Sequence, residues 1–367
     1  MKGLFDSTTI KNMKLKNRFF KGATWEGLAD DRGHMTEELY KMYEDFAKGG
    51  VGTIITSYSY VTENEKPNPG MLGIYDDSFI DEYQRLTDIV HQYDTNIILE
   101  IVYGGSQTKY TDKEVFGPSK IQNQVTEVIP KEMTKEDIEY LVNAFGDAAV
   151  RSKKSGFDGV ELHAGHGYLL NHFLSPYYNR RTDEYGGEIN NRARIIFEIY
   201  DNIRSKVGNE FPILIKLNSE DFAKEGMTNE DSLYVCKRLC DMGIDAIEVS
   251  GGNESFKEVW DNHKLSVRAK LPGVELKPHF KDFAEKLSNQ ISAPVILVSG
   301  NRSTNVMEES LNESNIEYFS LARPLNSEPD LINKWEVNKE YKPKCLSCNK
   351  CFNIEGHRCI LNVKAVR

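Results

Sequence analysis

The sequence predicts an α/β protein built as a (β/α)8 TIM barrel, and three observations carry that prediction. There are eight short apolar runs, a stretch of helical period follows each, and the alternation persists over nearly the whole chain. The runs span residues 17–24, 51–57, 96–102, 157–164, 211–218, 245–251, 294–300 and 316–323. Each is near-continuous in Ile, Val, Leu or Phe rather than alternating, as expected of parallel strands covered on both faces. Helices are expected to begin near Thr36, Ser78, Thr134, Asn190, Thr228, Pro278, Arg302 and Pro329. The clearest follows Thr134, where Ile138, Leu141, Val142, Phe145, Ala148 and Ala149 recur at three- and four-residue spacing. Thr134 with Asp137 forms a capping box with Asp in place of Glu, and Gly156 marks the stop. A doubly wound open sheet is the alternative, but it would more often carry Gly-x-Gly-x-x-Gly after its first strand, and none stands there.

Two segments fall outside the repeat. Residues 1–16 are expected to form a hairpin closing the barrel floor. Residues 337–367 form a Lys-rich, Cys-containing tail, which divides the chain into a barrel over 1–336 and a C-terminal tail. The stretch 104–130 is long for a βα loop and is assigned to a lid or substrate wall.

With 39% hydrophobic and 28% charged residues among 367, the chain is not of a disordered class, and no apolar run approaches the ~18 residues of a membrane helix. A formal charge of −10 argues against nucleic acid or an anionic membrane as main partner, with local basic patches left open. A homo-oligomer is compatible with the composition. The N-terminus turns polar after Leu4-Phe5 and lacks an apolar secretory core, so a cytoplasmic location is expected.

Barrels carry catalytic groups at the C-terminal ends of their strands. The fourth run ends Glu161-Leu162-His163-Ala164-Gly165-His166-Gly167-Tyr168. Its two imidazoles and phenol, at i, i+3 and i+5, converge if the chain turns at Gly165 and Gly167. Two neutral His side chains can each donate a hydrogen bond to a carbonyl oxygen, and a Tyr can deliver a proton to a neighbouring carbon. That is equipment for polarising a conjugated carbonyl. The competing readings are a Zn²⁺ site on the His pair, which wants a third ligand, and ordinary packing.

The stretch from His163 to Pro176, followed by Asn179-Arg180-Arg181-Thr182-Asp183-Glu184-Tyr185-Gly186-Gly187, resembles the old yellow enzyme family of FMN-dependent ene-reductases. The likeness runs from Leu4-Phe5 and Asn17-Arg18 to Leu321-Ala322-Arg323-Pro324 and Glu328-Pro329-Asp330, almost the entire chain. It implies a (β/α)8 barrel that binds FMN, takes reducing equivalents from NAD(P)H and reduces an enone, enoate, dienoyl-CoA or steroid enone. It assigns His163 and His166 to the substrate carbonyl, with His163 also near the flavin, and Tyr168 to proton donation. Ala23, Thr24, Trp25 and Tyr58 would line the isoalloxazine, Glu100 and Lys216 its polar edge, and Gly300-Asn301 with Ala322-Arg323 the phosphate. The phosphate assignment has its own warrant, since barrels commonly bind phosphate after strands 7 and 8. Three positions depart from the family pattern. Glu100 and Lys216 replace the usual Gln and Arg and are expected to pair, and Trp25 either walls the site or packs in the core.

Cys345-x₂-Cys348-x₂-Cys351-x₇-Cys359 has the spacing of a metal or cluster site. A [4Fe–4S] cluster, a four-thiolate Zn²⁺ site and unligated thiols are the readings. Longer relatives similar to 2,4-dienoyl-CoA reductase carry a cluster after the barrel at a somewhat different spacing. Cys236 and Cys240, at i and i+4 on a helix, are assigned to the core. Two rival functions remain: a flavin/iron–sulfur electron-transfer protein, and a barrel metallohydrolase using His163 and His166.

Overall fold

A computed structural model describes residues 1–258 and 278–362; residues 363–367 of the expected tail lie outside them. Eight parallel strands close into a barrel: β1 (Phe19–Lys21), β2 (Thr53–Ile55), β3 (Asn96–Val102), β4 (Gly159–Ala164), β5 (Ile213–Asn218), β6 (Ala246–Ser250), β7 (Val295–Val298) and β8 (Ile316–Leu321). Closure is made by Phe319 pairing with Phe19 across β8 and β1, and the ring continues through β2 and β3. The outer layer holds α1 (Glu37–Lys48), α2 (Ile80–His91), α3 (Lys135–Lys154), α4 (Arg194–Val207), α5 (Asn229–Met242), α6 (Lys281–Ser288), α7 (Thr304–Glu313) and α8 (Leu331–Val337). No described helix is long and apolar enough to cross a membrane.

The helix starts follow local chemistry. Thr36 caps α1, and full capping boxes join Thr134 to Asp137 and Thr228 to Asp231. Such side-chain caps are worth ~1 kcal/mol each. Gly156, just past α3, has φ +82°, where a Cβ is disfavoured.

Most strands are shorter than the apolar runs, whereas β3 fills its run from end to end. Along each strand, alternate residues face inward. The floor is apolar: Phe20, Ile55, Ile98, Leu214, Ala246 and Ile296 pack against Ile10, Met13 and Leu15 of the N-terminal hairpin, whose strands are Thr8–Ile10 and Met13–Leu15. Two residues further along come Glu100 after Ile98, Lys216 after Leu214 and Glu248 after Ala246, so a charged layer lies directly above the apolar plug. The opposite strand faces pack on the helices in a continuous second core that reaches Trp335 of α8.

Candidate active site

The charged layer is built around one ammonium group. Lys216 Nζ donates to Glu100 Oε1 at 2.5 Å and Glu161 Oε1 at 2.9 Å, and lies 2.7 Å from Glu248 Oε2. The three carboxyl side chains are fully buried. The expected Glu100–Lys216 pair is present, but as part of a four-residue cluster. Burial pushes the Glu161 carboxyl well up, and the charge of Glu248 pushes it further. Burial also raises Glu100, but His163 and Lys216 outweigh it and hold that carboxyl well below the usual range.

His163, two residues beyond Glu161 on β4, also points inward. Its Nδ1 is 2.8 Å from Glu100 Oε1, while its buried Nε2 has no hydrogen-bond partner among the described residues. The chain then turns sharply. Gly167 has φ +84°, and His166 itself takes φ +58°, so the residue between the glycines carries part of the left-handed turn. Gly165 is needed for another reason: a Cβ there would meet Asn218 Oδ1 at 2.6 Å.

Beneath the turn, Asn171 Oδ1 accepts from Gly167 N at 2.8 Å, and Asn171 Nδ2 donates to buried Asp221 at 3.0 Å. Asp221 also accepts from Asn218, Asn253 and Met227 N. This network fixes the loop geometry. It places the His163 ring 5.1 Å from that of His166 and 4.9 Å from that of Tyr168. His166 Nε2 lies 2.7 Å from Ser250 Oγ at the end of β6.

One cavity at the barrel mouth brings together every predicted binding residue: Ala23, Thr24, Trp25, Tyr58, Glu100, His163, Lys216, Gly300, Asn301, Ala322 and Arg323, together with His166 and Tyr168. Trp25 is a wall of this cavity. Its Nε1 donates to Pro69 O at 2.9 Å and its ring packs edge-on against His357 at 4.9 Å. At the far side, Ser299 Oγ, Asn301 Oδ1 and Ser320 Oγ are buried without hydrogen-bond partners among the described residues.

The cavity contains groups that the motifs did not reveal. Glu248 and Ser250 carried a usable signal, as polar residues at inward positions of an apolar run. Phe352 and His357 of the tail carried none, since only the folded chain sets them beside Trp25.

The tail packs on the barrel mouth. Arg302 donates to Cys345 O at 2.7 Å, Arg323 to Asn349 Oδ1 at 2.6 Å and Asn362 to Ser327 O at 2.6 Å. Cys345, Cys348, Cys351 and Cys359 line a second cavity that also touches Arg323. Burial pushes the Arg323 guanidinium down, opposed by the nearby thiol groups. Among the described residues, no three His, Cys, Asp or Glu side chains gather tightly enough to hold a single metal ion. Cys236 is a core residue, with burial pushing its thiol up to about 12, whereas Cys240 is only partly buried and accepts from Ala293 N at 3.2 Å.

Residues 3–342 match the NADH:flavin oxidoreductase / NADH oxidase family. The chain is 30% identical to an NADH oxidase of Thermoanaerobacter brockii over 99% of its own length and 56% of the relative's. It is 31% identical to an NADPH dehydrogenase of Clostridium acetobutylicum, covering 90% of this chain and 93% of that one. Among solved structures, a 2-naphthoyl-CoA reductase in complex with 2-naphthoyl-CoA superposes with a TM-score of 0.87 at 27% identity, over 95% of this chain and 54% of the other. The chain thus spans about half the length of some relatives and nearly all of others.

Proposed function

This chain belongs to the NADH:flavin oxidoreductase / NADH oxidase family, and from that premise we propose that it is an FMN-dependent oxidoreductase that uses NAD(P)H to reduce the C=C bond of an α,β-unsaturated carbonyl compound. The observation that carries this reading is the convergence of His163, His166 and Tyr168 on a barrel-mouth cavity with buried polar atoms awaiting partners. The donor set fits FMN. Glu100 and Lys216 offer an acceptor and a cation to the polar edge of a flavin. Gly300, Asn301, Ala322 and Arg323, beside Ser299 and Ser320 hydroxyls that lack partners among the described residues, suit a ribityl phosphate. Ala23, Thr24, Trp25 and Tyr58 supply the wall.

FMN bound there would supply the hydride chemistry between NAD(P)H and the C=C bond of the substrate. The protein's part is to hold the carbonyl and move the proton. A His163 ring that gives its Nδ1–H to Glu100 offers Nε2 as a donor only when doubly protonated. His163, held by Glu100, and His166 would hold the carbonyl oxygen, and Tyr168 would protonate the α-carbon. The tail cavity favours a [4Fe–4S] cluster held by Cys345, Cys348, Cys351 and Cys359, with Arg302 and Arg323 offsetting its negative charge. Because Arg323 lines both cavities, electron relay through the tail to a partner is the second reading.

Anaerobically purified protein is expected to be coloured and to release FMN on denaturation. After reduction by NADH or NADPH, it should be reoxidised by at least one of a cyclic enone, an enoate, a dienoyl-CoA ester or a steroid enone. Colourless, FMN-free protein would sink the flavin reading. A cluster signal without turnover of any of the four classes would favour electron relay.

A further inference from the structure

A side chain from a different loop touches the predicted proton donor. Asn68, in the loop after β2, points its Nδ2 at two phenol oxygens, 3.3 Å from Tyr58 Oη and 3.4 Å from Tyr168 Oη. The two phenols are themselves bonded, Tyr168 Oη–H to Tyr58 Oη at 3.0 Å, with their rings 5.3 Å apart. Both tyrosines are buried and Asn68 is half-buried. The segment is anchored beside them, since Pro69 O receives the Trp25 indole N–H and Pro67 O receives Lys109 N. One carboxamide thus holds the oxygen that must lose a proton and the oxygen next to it.

We propose that Asn68 and Tyr58 are positioning residues that receive the negative charge formed on Tyr168 as its proton leaves. The proposal rests on the ene-reductase reading. After hydride has reached the β-carbon, the Tyr168 O–H bond breaks as a C–H bond forms at the α-carbon of the enolate. The electron pair stays on Tyr168 Oη, where the Asn68 N–H and a rotated Tyr58 O–H both face it. Tyr58 returns a proton to Tyr168 and regains its own from water. An amide donor aimed at an oxygen that becomes anionic acts as an oxyanion hole does, and one good donor in such a site is worth ~10²–10³ in rate. The bonds here are long, so about tenfold is expected from Asn68.

Among the described residues, the His163 ring faces both phenols, with Glu100 and Lys216 behind it. None of them is altered by substituting Asn68.

The test compares Asn68→Ala, Asn68→Asp, Tyr58→Phe and Tyr168→Phe in the flavin-loaded protein. Stopped-flow rates of both half-reactions would be followed across pH, together with the titration of Tyr168 by ¹³Cζ-tyrosine NMR, assigned by its loss in Tyr168→Phe. Asn68→Ala should slow the oxidative half-reaction about tenfold, leave flavin reduction unchanged and move the Tyr168 titration to higher pH. Asn68→Asp is the decisive variant. A merely structural asparagine would tolerate this isosteric change better than Ala, whereas charge reception predicts that a carboxylate beside a nascent phenolate is worse than Ala.

An unmoved Tyr168 titration, or Asp milder than Ala, overturns the proposal while Tyr168→Phe still slows protonation. If Tyr168→Phe itself leaves the oxidative half-reaction unchanged, the underlying reading fails and the proposal fails with it.

Discussion

Replacing Lys216 with Met would remove an ammonium that three fully buried carboxyl groups share. Each lies 2.5 to 2.9 Å from the ammonium. Removing one partner of a buried pair typically costs ~3–5 kcal/mol. A separate bound comes from protonation, the escape open to stranded carboxylates. Holding a proton at pH 7 on a group whose unfolded pKa is ~4.3 costs about 3.5 kcal/mol. Glu161 already sits well above that range in the native protein, so the new penalty falls on Glu100 and Glu248. The expected loss at pH 7 is therefore about 3 to 7 kcal/mol, a large part of a typical domain stability.

The sign follows from linkage. In the variant the folded state keeps protons that the unfolded state releases, so the loss is smallest below about pH 4 and grows as pH rises toward 7, by ~1.4 kcal/mol per unit for each carboxyl involved. Urea unfolding of wild type and Lys216→Met at pH 5 and pH 7.5 would measure it. Lys216→Met/Glu100→Gln should recover part of the loss. A loss below 1 kcal/mol at pH 7.5, or an equal loss at both pH values, would refute the view that this ammonium neutralises the layer.

Other outcomes follow from the same geometry. Burial pushes the Glu65 carboxyl up to about 8, against one hydrogen bond from Gly104 N at 2.8 Å. Its effect on stability is flat below about pH 4.5, declines as pH rises to about 8 and totals ~5 kcal/mol. Glu65→Gln should therefore gain stability over wild type at pH 9 but not at pH 4.5 in urea titrations, and a pH-independent difference would contradict this. Tyr168→Phe is expected to slow flavin reoxidation by substrate at least tenfold while reduction by NAD(P)H stays within twofold; equal losses in both halves would count against its role. Cys351→Ser should sharply lower the iron content and broad visible absorption of anaerobically purified protein, and iron-free wild type would end the cluster reading.

Periodicity alone specified the barrel. An apolar run buried on both faces and a helix with a single apolar stripe are local patterns, and eight repeats admit few arrangements, so strands and helices fall where the sequence places them to within a few residues. The capping box at Thr134 was legible because its partner is only three residues away. The cluster of His163, His166 and Tyr168 was legible for the same reason.

Other features depend on residues distant along the chain. Glu100 and Lys216 could be matched as a pair, but Glu161 and Glu248 join them only because the stagger of the closed barrel brings four strands to one level. Trp25 could not be assigned to wall or core until Pro69 and His357 were found on either side of it. Asn68 gave no signal, since an asparagine between two prolines reads as loop. The hydrogen-bond partner of the His163 ring was also out of reach, since Glu100 lies 63 residues away.

The sequence by itself determined the architecture and the identity of the chemical groups, because both are written in short-range patterns of burial and spacing. The tertiary structure decided which charges are shared, which atoms are left without partners and what stands beside the phenol. Those properties arise from close packing between distant segments, and a low-dielectric interior makes them decisive.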